Sequence, residues 1–115
     1  MDKKYMNNFK PMLVTGARFE NIDDIIEFGK TQNIVYMDDS MGIVDKIKML
    51  TTITSGIYFW FTINMIDSNS LMTGINIVSE YLTTIPNNSI EILNAKNEFQ
   101  TVHLIIAGMM NNSQG

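Results

Sequence analysis

Two hydrophobic spacings run along this chain. Between residues 21 and 30, Ile22, Ile25, Ile26 and Phe28 recur every three to four positions, the repeat of one buried helix face. Asn21 supplies an N-cap, Glu20, Asp23 and Asp24 lie near the positive end of the helix dipole, and Gly29 with Lys30 suits the stop. The spacing predicts a helix over about 21–30. Favourable interaction with that dipole accounts for the three acids more simply than metal binding does.

Elsewhere a two-residue repeat prevails. Residues 12–19 (MLVTGARF) read as a strand with Gly16 as a bulge, and 33–37 as a second, short strand. Over 43–54, Ile43, Ile47, Met49 and Ile53 alternate with Val44, Lys46, Lys48 and Leu50, which predicts one long strand. Ser55-Gly56 then turns the chain into a core strand over 57–66. Its Ile57, Phe59, Phe61, Ile63 and Met65 point inward, and its Tyr58, Trp60, Thr62 and Asn64 point outward.

Residues 71–84 fit a helix face through Leu71, Ile75, Val78 and Leu82, and a strand face through Ile75, Ile77, Ser79 and Tyr81. Their β-branched content and the polar turn at 67–70 favour the strand. After the break at Pro86-Asn87-Asn88, residues 90–93 and 99–107 form a last hairpin. Seven or so strands with one early helix predict an α+β, mainly β fold: a small twisted β-barrel or pseudo-barrel, with the helix plugging one open end.

A length of 115 residues accommodates a single domain, 1–115, with flexible ends at about 1–9 and 111–115. Hydrophobic residues make up 45% and charged residues 17%, a balance that argues against disorder and leaves Asn, Ser and Thr to solvate much of the surface. The net charge of −4 repels phosphate backbones and anionic membranes at long range. With no cysteine, disulfides and thiol chemistry are excluded. No leader-like apolar run follows the charged start, and no stretch approaches the roughly 20 apolar residues of a membrane span, so a cytoplasmic location is expected. One arginine against seven lysines, with many Ile, Asn and Met, matches AT-rich coding sequence and points to a low-GC bacterium.

No catalytic signature emerges. The segment Asp38-Asp39-Ser40-Met41-Gly42 lacks the alternating ligands and closing Glu of a calcium loop and reads as a turn. His103, the one histidine, shares a strand face with Phe99, Thr101 and Ile105, and neither a nucleophile nor an orienting acid is recognisable for it. Ser55 and Ser79 lack a nucleophile-elbow setting, and the glycines form no phosphate cradle. The expectation is a non-enzymatic protein with no metal and no cofactor.

The outward face of the 57–66 strand carries Tyr58 and Trp60, with Lys46 and Lys48 on the neighbouring strand and Arg18 within reach of the same surface. Rings stack on any base and cations neutralise phosphate, so these five residues form a candidate single-strand RNA surface. A covering helix is the plainer explanation of aromatics on both faces of a strand.

A helix after the first strand (LVTGARFENIDDIIEFGK) and a run of strands closing on EFQTVHLIIAG resemble, in layout, the PUA-like small pseudo-barrels, and among them the PrgU-like regulators of enterococcal conjugative plasmids. The resemblance implies an RNA-binding regulator that limits production of conjugation surface proteins, and it carries over no site residues. The acidic total and the methionine-rich, weakly charged composition support a second expectation, a protein-interaction module acting as inhibitor or adaptor. An unclosed barrel edge would also invite a homodimer.

Overall fold

The computed structural model describes residues 19–32 and 40–114, and within them the chain is helical, with no strand. Among the described residues four helices follow one another: α1, Ile22–Thr31; α2, Ile43–Thr62; α3, Ser68–Thr83; and α4, Ile90–Gln114. The expected barrel is therefore corrected to an all-α fold, and the layout resemblance to PUA-like and PrgU-like pseudo-barrels falls with it, since the strands expected from residue 43 onward are α2, α3 and α4. The strands expected at 12–18 and 33–37, the aspartates at 38–39 and the end at 1–9 lie outside the described residues.

The early helix is where the cap and spacing put it. The Asn21 side chain accepts from the Asp24 amide at 3.2 Å, and the Asp24 carboxylate accepts from the amides of Glu20 at 2.8 Å and Asn21 at 3.3 Å. This reciprocal capping box satisfies amides that the first turn otherwise leaves unpaired. Ile25 and Phe28 are buried, and Phe28 meets Phe19 edge-on with ring centroids 5.5 Å apart.

Helix α2 is the centre of the molecule, in contact with all three others. Ile47, Leu50, Ile53, Thr54 and Ile57 are buried along it, while Val44, Met49, Tyr58, Trp60 and Phe61 pack partly against the same core. Its many β-branched residues disfavour helix intrinsically, yet burial on several sides overrides that preference. The hydroxyls adapt as well: Thr51, Thr52, Thr54 and Ser55 each donate to the carbonyl four residues back. Thr54 is fully buried and depends on this bond, at 2.9 Å to Leu50, to avoid a desolvated hydroxyl.

Two turns reverse the chain twice. Asn64 sits in the left-handed region at φ 65°, and the amides of Asn64 and Met65 donate back to the carbonyls of Phe61 and Trp60 at 3.0 and 2.9 Å, the paired bonds that close a helix C-terminus. Asp67 then caps α3 by accepting from the Ser70 amide at 2.7 Å. At the second turn, Ser89 accepts from the Ile92 amide, and the Lys96 ammonium donates to the Ile85 carbonyl and the Asn87 side chain.

Helix α3 buries Leu71, Ile75, Val78 and Leu82, the helical alternative of its sequence. Gly74 lies among them because a Cβ there would stand 3.1 Å from the Phe19 ring. Helix α4 buries Ile92, Ala95, Phe99, Ile106 and Met110, at steps of three, four, seven and four residues along one face, and packs chiefly on α2.

Candidate interaction surface

The expected RNA-binding residues are distributed differently from their strand placement. On a helix, residues two apart point about 200° away from each other, so Lys46 parts from Lys48 and Tyr58 from Trp60. Lys46 turns toward α3, its ammonium 5.5 Å from the centre of the Tyr81 ring. Lys48 is exposed on the opposite flank. Tyr58 is half-buried against α4 and donates its hydroxyl to the Met109 sulfur at 3.1 Å. Trp60 is half-buried, with its ring 6.1 Å from that of Phe59. The inward and outward assignments are thus corrected: Phe59 is 57% exposed, whereas Trp60 packs partly against the core. Arg18 lies outside the described residues.

The same contacts fix how α2 and α4 run. At one end, Val44 and Lys48 of α2 line a shallow groove of about 470 Å³ with Glu91, Asn94 and Glu98 of α4. At the other, Tyr58 reaches Met109. The two helices therefore run parallel, joined through the antiparallel α3.

That groove changes character along its length. Phe59 lies about three helical turns beyond Lys48 and on the same flank, and Ile105 lies two turns beyond Glu98 on the flank that Glu91 and Glu98 share. The flanks begin charged and become apolar. Residues 49–66 and 99–115 contain no Asp, Glu, Lys or Arg. Where these segments pair, Phe59, Ile63 at 41%, Leu104 at 71%, Ile105 at 53% and Met109 at 47% remain exposed. Among the described residues, five of the eight exposed large hydrophobic side chains thus lie toward one end of one helix pair.

Two-residue alternation points Phe59 inward and places Ile105 in a hairpin, and so does not bring these residues together. Two charge-free runs in a chain otherwise bearing charge were the available signal.

His103 stands half-buried on α4 with its ring 6.0 Å from that of Phe99, one turn earlier, an aromatic contact within the helix. Among the described residues no cluster of three His, Cys, Asp or Glu has metal-holding geometry, and no described helix is long and apolar enough to cross a membrane. Comparison with protein-family models, curated proteins and solved structures finds no match for this chain.

Proposed function

We propose that this chain is a non-enzymatic interaction module that binds another polypeptide through the uncharged end of α2 and α4. The observation that carries the reading is that Phe59, Ile63, Leu104, Ile105 and Met109 are all exposed in the segments of α2 and α4 that hold no Asp, Glu, Lys or Arg. A monomer that bound nothing there would expose apolar surface at the upper end of what soluble proteins carry. Uncharged, methionine-bearing surfaces also match the composition of interface centres.

A photo-crosslinking side chain placed at position 59 or 105 in cells tests this. A discrete polypeptide adduct is expected there and none from position 80. Adducts to nucleic acid, or none from any position, would overturn the reading.

The RNA-binding alternative draws less support from the geometry, because Lys46 is engaged over Tyr81 and the two rings leave α2 on different flanks. A labelled single-stranded RNA whose affinity falls steeply with salt, and falls again in Lys48→Gln, would favour that alternative.

A further inference from the structure

We infer that the polypeptide received at the uncharged end is a second copy of this chain, related by a two-fold axis that passes between the C-terminal halves of α2 and α4. The inference rests on the interaction-module reading and names its partner.

Charge is the first argument. A two-fold interface brings every group near the axis close to its own symmetry mate, so a charge placed there meets a like charge. A patch can face itself at low electrostatic cost when it carries none. Residues 49–66 and 99–115 satisfy that condition, and Asp67, which follows the first segment, caps α3 through the Ser70 amide. The groove's charged groups, Lys48, Glu91 and Glu98, precede the two charge-free segments along α2 and α4. Two copies of a chain with net charge −4 repel at long range, and this docking keeps the described ionic groups of α2 and α4 apart. A basic peptide would find no carboxylate on the two apolar halves, and an anionic bilayer would find no lysine or arginine there.

Area is the second argument. At the exposures given above, and at about 200 Å² for a large side chain, Phe59, Ile63, Ile105 and Met109 present on the order of 400 Å² of apolar surface. A standard interface takes about 800 Å² from each partner, with an apolar centre inside a polar rim. The patch is the size of such a centre, and Asn64, Thr62, Thr101 and Asn111, all exposed, are available for the rim.

Sedimentation velocity on the full chain, from about 1 to 100 µM, tests the proposal across the range in which a modest standard-size interface associates. The expected result is a species of twice the chain mass that Ile105→Asp and Phe59→Asp return to the monomer, with unchanged helical circular dichroism. Because the chain has no cysteine, single-cysteine variants give a second readout that does not depend on those charges. Ile105→Cys or Met109→Cys should form a disulfide-linked dimer on mild oxidation, and Glu80→Cys, at the charged end, should not. A monomer throughout the range overturns the second copy; a discrete adduct to a different polypeptide at positions 59 and 105 would then leave the interaction-module reading standing. A dimer that ignores Ile105→Asp and crosslinks through Glu80→Cys overturns this interface.

Discussion

The Tyr58 hydroxyl donates to the Met109 sulfur across 3.1 Å, fifty-one residues apart in sequence, and so ties the second half of α2 to the second half of α4. Sulfur is a weak acceptor, and most of what holds Tyr58 is its ring, 6.0 Å from that of Phe61. Tyr58→Phe should therefore lower unfolding stability by less than about 1 kcal/mol, whereas Tyr58→Ala, which also removes the ring from the helix seam, should cost about 2–4 kcal/mol. Urea denaturation followed by circular dichroism measures both. A large loss in Tyr58→Phe would mean that the hydrogen bond, not the packing, joins the two helices.

Asn64 holds a left-handed backbone at the close of α2. A β-branched residue is strongly disfavoured there, so Asn64→Val should cost about 1–2 kcal/mol. Asn64→Gly should stay within about 1 kcal/mol of the parent, since relief at φ 65° is offset by a more flexible unfolded chain. Equal losses in the two variants would show that the Asn side chain, rather than its backbone conformation, matters at the turn.

Gly74 lies under the Phe19 ring, with Phe19 Cδ2 3.1 Å from where a Cβ would stand. Gly74→Leu should push Phe19 from its seat against Phe28 and cost about 1–3 kcal/mol. In a Phe19→Ala background the same substitution should cost less, and a double-mutant cycle measures the coupling. Additivity within about 0.5 kcal/mol would show that the leucine is accommodated elsewhere.

Thr54 is fully buried, and its hydroxyl donates to a carbonyl, that of Leu50, which is also in range of the helix's own amide ladder. Replacing the hydroxyl with a methyl leaves no donor orphaned. Thr54→Val should thus match or exceed the parent in thermal midpoint, while Thr54→Ser, which deletes the methyl from a packed site, should fall below it. A marked loss in Thr54→Val would make the bond to Leu50 a larger contributor than a neutral helix back-bond ordinarily is.

The first helix was legible because Asn21, Asp24 and the spacing of Ile25 and Phe28 agree on it at every level. The rest misled for physical reasons. A helix buried on one side shows its repeat as contrast between apolar and polar positions, but α2 touches three neighbours and is apolar on most of its circumference, so the contrast disappears. Its threonines and isoleucines then tip a propensity-based reading toward strand, although the threonine hydroxyls are satisfied within the helix. In α3 the buried set, Leu71, Ile75, Val78 and Leu82, is present in the sequence as a helical repeat, but the β-branched residues among and around it favour a strand by propensity alone. In α4 the buried stripe is overlaid by Ile90, Leu93, Leu104 and Ile105, which are exposed. The caps were the better guide: Asn64 stops one helix, and Asp67 and Ser89 start the next two. Of the expected site residues, Lys48 and Tyr58 border the α2–α4 groove and its apolar continuation, which periodicity alone did not bring together.

Helix α4 rests on α2 and meets α1 and α3 only marginally. A rod held along a single seam can come away in one step while the remaining three helices keep their mutual packing. Amide protons of α4 should accordingly exchange through a shallower opening than those of α2, and whatever grips the far end of that seam would act as a clasp on the whole C-terminal quarter of the chain.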